Sequence, residues 1–93
     1  MSLHIIKDNL ENSAPLKTRL QLAQADDVFI LIENGVYNVC NSIQSALLNR
    51  PCYVLSADLE ARGISNEITT HFQMIDYAGF VELTEQHKKI ITW

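Results

Sequence analysis

The sequence predicts an α/β sandwich built on a mostly parallel sheet, and three observations lead there. The first is the stretch Asp26-Asp27-Val28-Phe29-Ile30-Leu31-Ile32-Glu33-Asn34-Gly35-Val36-Tyr37. Val28 to Ile32 are apolar without alternation, so both faces of the strand they form are covered, which puts that strand at the centre of a sheet. The second is Cys52-Tyr53-Val54-Leu55, a short apolar run of the same kind. The third is the helical spacing of the segments between the strand candidates. Strands joined through helical crossovers in one sheet run parallel, with right-handed connections in nearly all cases.

In chain order, Ser2 to Ile6 reads as the first strand, closed by the polar break Lys7-Asp8-Asn9. A helix follows, with Ser13 as N-cap, Pro15 in its first turn and Leu16, Leu20 and Ala23 at helical spacing, ending near Gln24. Asp26-Asp27 stop it and the central strand begins. Gly35 stands where that strand turns into a helix, and it is expected to supply the positive φ such a turn often needs. Val36, Val39, Cys40, Ile43, Ala46 and Leu47 then form one helical face, which runs to about Asn49 because Pro51 cannot continue it. After the strand from Cys52 to Leu55, Ser56 caps a short helical turn over residues 57–62 that Gly63 ends in a left-handed conformation. Residues 64–71 carry little pattern. Phe72 to Ile75 reads as a fourth strand, Asp76 caps a helix with Phe80, Val81 and Leu83 facing inward, and residues 89–93 close as a strand or extended arm.

Composition restricts the function. Ninety-three residues make one domain, residues 1–93, able to bury roughly two-thirds of the surface of its unfolded chain. Hydrophobic residues at 47% against 19% charged exclude disorder, because such a chain can offset its ordering entropy. A net charge of -4 without a basic cluster beyond Lys88-Lys89 argues against direct nucleic-acid binding. No stretch is long and apolar enough for a membrane span, and Leu3-His4-Ile5-Ile6 is too short for a signal-peptide core, so the chain reads as cytoplasmic. Cys40 and Cys52 form neither a disulfide framework nor a CxxC motif.

The motifs of chemistry are sparse. Glu33-Asn34-Gly35-Val36-Tyr37 has one glycine and an acidic residue where a phosphate would sit, so it is no phosphate loop. His4, His71 and His87 lack metal-ligand spacing, no GxSxG elbow is present, and no cofactor or metal is expected. Three features remain. Tyr37 lies where open α/β sheets place ligands, although an aromatic at that point also serves as a packing residue. Asp58, Glu60 and Arg62 form either a recognition patch or a solvated helical turn. Trp93 needs a pocket, in its own core or in a partner, and is a candidate interface anchor.

Val28 to Tyr37, Tyr53-Val54-Leu55 followed by Asp58-Leu59-Glu60-Ala61-Arg62-Gly63, Ile75-Asp76-Tyr77-Ala78-Gly79-Phe80-Val81-Glu82-Leu83-Thr84 and the closing Trp93 together resemble the TusB/DsrH family. The motifs keep the family's order over nearly the whole chain, from Leu3-His4 onward. The resemblance implies a three-layer α/β/α sandwich of the DsrEFH type with a mostly parallel sheet of four to five strands. It also implies a subunit of a sulfur-relay complex, assembled with homologous DsrE-like (D-type) and DsrF-like (C-type) subunits as a dimer of heterotrimers. Such complexes pass persulfide sulfur between carrier proteins, toward 2-thiolation of the tRNA wobble uridine or, in sulfur oxidisers, toward dissimilatory sulfur metabolism. The sulfur-carrying cysteine belongs chiefly to the D-type subunit. Some DsrH members also have a cysteine in the first helix, and Arg19 stands at that position here.

Cys40 and Cys52 fall outside the matching motifs. Read as a core residue on a helix face and a buried strand residue, each would be an inert thiol, since desolvation disfavours thiolate. The expected role is therefore that of a noncatalytic subunit, with Asn34, Gly35, Tyr37, Asp58, Arg62, Tyr77 and Trp93 as candidate interface residues. The alternative is a stand-alone homo-oligomeric ligand-binding protein or thiol enzyme with Cys40 or Tyr37 at its site. Homo-oligomers are also expected when the chain is without its partners.

Overall fold

The computed structural model describes residues 1–11, 14–41, 44, 47, 50–65 and 72–93. Its strands are β1 (Leu3–Ile6), β2 (Val28–Leu31), β3 (Cys52–Leu55), β4 (Gln73–Ile75) and β5 (Ile90–Thr92). They form one sheet in the order β4-β3-β2-β1-β5, and every pairing is parallel. β2 is the middle strand, as its unbroken apolar run predicts. The edge strands β4 and β5 are mostly exposed, whereas β1, β2 and β3 are mostly buried.

Parallel strands need long return connections, and these cover both faces of the sheet. On one face Ile6, Phe29, Leu31, Cys52 and Val54 meet Leu20 of α1 (Ala14–Gln21), Leu47, and Leu59 of α2 (Ser56–Ala61). On the other face Leu3, Ile5 and Ile30 meet Leu83 of α3 (Tyr77–Gln86). The result is a three-layer α/β/α sandwich in which successive residues of β1 and β2 point to opposite layers. Because β1 to β4 step outward to one side, the chain must cross back with α3 to lay β5 on the far side of β1.

Several local expectations are corrected. Gly35 does not have positive φ; the left-handed residue of the turn is Glu33, at φ 50°. Glycine is required for a different reason, since a Cβ on Gly35 would stand 2.0 Å from the carbonyl oxygen of Ile6. The helix expected from Val36 to Asn49 begins as a 3-10 helix over Glu33–Val39. Val36 and Val39 are buried in it, and their spacing of three suits a 3-10 helix as well as an α-helix. Asn38 and Asn41 are tied to residues 8–10 and to each other. Fully buried Asn38 donates from Nδ2 to the Asp8 carbonyl at 3.0 Å and accepts from the Leu10 N–H at 2.9 Å. Asn41 donates to the side-chain oxygens of Asn9 (2.7 Å) and Asn38 (2.8 Å). Helical conformation returns at Gln44 and Leu47, while Ile43, Ala46, Asn49 and the expected cap Ser13 lie outside the described residues.

Helix α1 ends at Gln21, a turn before Gln24. Ser56 is the first residue of α2 and does not cap it; Leu55 holds the cap position without a side-chain bond. Gly63 has the expected left-handed conformation, φ 66°. Asp76 caps α3 by accepting from the Gly79 N–H at 2.8 Å, a contact that stabilises a helix by about 1 kcal/mol. Val81, expected inward, is 40% exposed, and the inward side of α3 consists of Leu83 and half-buried Phe80.

Candidate functional site

All strands are parallel, so every strand leads into its following segment at one edge of the sheet. Glu33, Asn34 and Gly35 follow β2 there, Ser56 and Asp58 follow β3, and Asp76 and Tyr77 follow β4. Side chains join these segments. The Asp58 carboxylate accepts the Glu33 N–H at 2.7 Å and so holds the left-handed turn in place. Arg62, one helical turn later, donates from Nε to Asn34 Oδ1 at 3.1 Å and from Nη1 to the Asp58 carbonyl at 3.3 Å, and Nη1 lies 3.6 Å from the Asp58 carboxylate. Three of the expected interface residues, Asn34, Asp58 and Arg62, thus form one hydrogen-bonded patch that is partly open to solvent.

The other candidates are placed differently. Gly35 is buried beneath the patch against β1, and Tyr37 is half-buried in the 3-10 helix. Tyr77 shares the same sheet edge, is 68% exposed and meets Phe80 edge-on with ring centres 6.0 Å apart. Trp93, the candidate anchor that needed a pocket in its own core or in a partner, fills one in its own core. Its ring meets His4 and Phe29 edge-on at 5.7 and 6.3 Å, which leaves it 9% exposed.

That burial belongs to a polar chain that sequence reasoning missed. Trp93 Nε1 donates to His4 Nδ1 at 3.0 Å, and His4 Nε2 bonds Asp27 Oδ2 at 2.8 Å. An indole N–H can only donate, so Nδ1 carries the lone pair and Nε2 the proton that Asp27 accepts. Asp27 also accepts the backbone N–H of Ser2 (2.9 Å) and of Gln24 (3.1 Å). Burial alone would raise its carboxyl; the bonds from His4, Ser2 and Gln24 outweigh that and hold it below its ordinary value of 3.8. No spacing rule links residues 23 and 89 positions apart. The one available signal was a histidine inside an otherwise apolar strand.

The thiols differ from each other. Cys52 is buried on the sheet face, and desolvation pushes its thiol far up. Cys40, expected within a helix face, is exposed at the end of the 3-10 helix, and its S–H donates to the Tyr37 carbonyl at 3.3 Å. The carbonyl end of a helix does not surround sulfur with positive charge as an N-terminus does. Iodoacetamide should therefore label one thiol per native chain, Cys40, and both only in denaturant. Mass spectrometry of the alkylated protein reads this directly; rapid native labelling of Cys52 would contradict its burial.

Other constellations are lacking among the described residues. No three His, Cys, Asp or Glu side chains are arranged to hold a metal ion. No helix is long and apolar enough to cross a membrane. A groove of about 230 Å³ between α3 and the sheet is lined by Tyr53, Ile75, Gly79, Glu82, Leu83 and Gln86, with Glu82 3.4 Å from Gln86 as its one carboxylate.

Known proteins resemble this chain in fold and in sequence. The NMR structure of protein Tm0979 from Thermotoga maritima superposes with a TM-score of 0.70 at 28% identity, covering 96% of this chain and 97% of that one. Protein TusB of Serratia proteamaculans is 38% identical over 82 residues, 84% of this chain and 86% of the relative. Protein TusB of Yersinia pestis is 33% identical over the same shares. A family model described as DsrH like protein matches residues 11–90, which takes in the 3-10 turn, the Asp58–Arg62 patch and α3. With a family model over most of the chain and relatives at 33% and 38% identity, the chain belongs to the TusB/DsrH family.

Proposed function

We propose that this protein is a noncatalytic subunit of a cytoplasmic sulfur-relay complex, in which it shapes the surroundings of a partner subunit's persulfide. The observation that carries the reading is family membership combined with the state of the thiols: one is buried and the other sits at a helix's carbonyl end. Desolvation keeps Cys52 inert, and exposed Cys40 sits beside helix carbonyls and not at the N-terminal end of a helix, where cysteines are activated. The whole chain acts as one domain beside homologous DsrE-like and DsrF-like subunits in a heterohexamer, and the relay leads toward 2-thiolation of the tRNA wobble uridine. No direct contact with the nucleic acid is needed for this role, consistent with the net charge of -4.

The docking surface we assign is the sheet edge around Asn34, Asp58, Arg62 and Tyr77, with Gly35 buried below it and Tyr37 half-buried in the following 3-10 helix. Arg and Tyr are enriched at the centres of interfaces, and Arg62 is already oriented by Asp58 and Asn34. Reconstitution with the two homologous subunits tests it. Arg62→Ala together with Tyr77→Ala should weaken assembly by about thirtyfold or more, the loss typical of truncating even one interface anchor, with a melting temperature close to that of the parent. Cys40→Ser should leave sulfur transfer to the acceptor unchanged. Unimpaired assembly would remove the edge as the interface, and loss of transfer in Cys40→Ser would remove the noncatalytic role.

The exposure of Cys40 favours one second reading, a stand-alone thiol enzyme. In that case the isolated chain, treated with a persulfide donor, should gain one sulfur atom on Cys40 that mass spectrometry detects.

A further inference from the structure

We propose that His4 is a proton-operated latch for the edge strand β5: its neutral form holds Trp93, and on taking a second proton it releases Trp93 and loosens β5 from β1. The geometry requires the two states to differ. Neutral His4 accepts the indole N–H on Nδ1 and donates Nε2–H to Asp27, at 3.0 and 2.8 Å. Doubly protonated imidazole has no lone pair, so two N–H groups would face each other across the Trp93 contact. The Asp27 contact behaves in the opposite way, because protonation turns it into a buried ion pair. One side of His4 tightens while the other opens. The response is therefore local to β5 and does not extend to the whole sheet.

The surroundings of His4 supply the means. From the turn before β2 it faces Asp27, and beside it Asp26 pairs with the N-terminal ammonium of Met1 at 3.7 Å. On β2 it stacks on Phe29, ring centres 4.6 Å apart, and the guanidinium of Arg50 lies 5.7 Å from the same ring. Arg50 is held by the carbonyls of Ala23 and Gln24. Before β5, Lys88 and Lys89 are exposed to solvent. Asp27 is thus the one described charged group bonded to the ring. β5 is suited to yield: it is a three-residue edge strand, largely exposed, tied to β1 through Leu3 N–H to Lys89, Trp93 N–H to Ile5 and Lys7 N–H to Trp93. Its release would open those groups of β1 to another strand.

Backbone hydrogen exchange, corrected for the intrinsic rate, and the indole N–H signal of the single tryptophan read the latch. Between pH of about 8 and about 5, where histidines titrate, protection of Ile91 and Trp93 should fall by about tenfold, the equivalent of one lost hydrogen bond. The indole signal should shift in step with the ring protons of His4, while protection of β3 stays constant. His4→Gln keeps an acceptor and a donor without titrating, and should make β5 protection independent of pH. Trp93→Phe, which lacks the indole donor, should do the same at a lower protection. Constant β5 protection in the parent across this range would overturn the latch, as would an undiminished pH response in Trp93→Phe.

Discussion

Replacing Gly35 with alanine should destabilise the protein by about 3 kcal/mol or more, at the upper end of what overpacking costs. The added methyl group would lie 2.0 Å from the Ile6 carbonyl oxygen and 2.8 Å from its carbon, and neither can swing aside as a side chain would. That carbonyl already accepts the Ile32 N–H at 3.0 Å, so moving it breaks the alignment of β1 with β2 at the middle of the sheet. The Gly35 N–H in turn bonds the Ile32 carbonyl at 2.8 Å, which fixes the turn from the other side. Urea unfolding monitored by circular dichroism measures the loss. Gly63→Ala is the contrast: its left-handed φ of 66° is unfavourable for alanine, but no atom lies within 4 Å of the new methyl, so the cost should stay near 1 kcal/mol. Equal losses at the two glycines would mean that close approach is not what Gly35 provides.

Asp27→Ala should cost about 3 kcal/mol at neutral pH, because removing one member of a buried charged network strands the groups that bonded it. His4 Nε2, the Ser2 N–H and the Gln24 N–H would all lose their acceptor. The effect depends on pH in a definite direction. The folded protein holds the carboxyl below its ordinary value of 3.8, so the fold binds the ionised form more tightly than the unfolded chain does. The stabilisation is complete above that value and is lost as pH falls through it toward the folded value. The stability gap between parent and Asp27→Ala should thus be present in full above pH 3.8 and narrow below it. Denaturant melts at a series of pH values give the gap; a gap that stays constant into acid would show that the carboxylate charge contributes nothing.

The two expectations mark where sequence reading succeeded and where it stopped. The strand from Val28, the strand from Cys52, the Asp76 cap and the left-handed Gly63 were legible because each depends on neighbours a few residues away. Gly35 was identified as essential for the wrong reason. Its constraint comes from the Ile6 carbonyl on another strand, and no local pattern records that approach. Cys40 was misplaced because its spacing matches an α-helical face, whereas the asparagine network from Asn9 to Asn41 ends the 3-10 helix beside it and leaves the sulfur in solvent. Among the candidate site residues, Asp58 and Arg62 were visible as a charged helical turn, but their bonds to Glu33 and Asn34 were not.

By itself the sequence determined the class of the fold, because unbroken apolar runs separated by helical spacing admit few solutions besides a covered parallel sheet. It also pointed to the family, and the DsrH match over residues 11–90 agrees. Only the tertiary structure decided the strand order and with it the destination of Trp93. Placing β5 beside β1 brings Trp93 onto His4, and placing β2 on the other side of β1 brings Asp27 to the same imidazole. The physical reason is that strand order is set by long-range pairing and by how the helices share the two faces of the sheet, energies that belong to the assembled chain and leave no periodic trace along it.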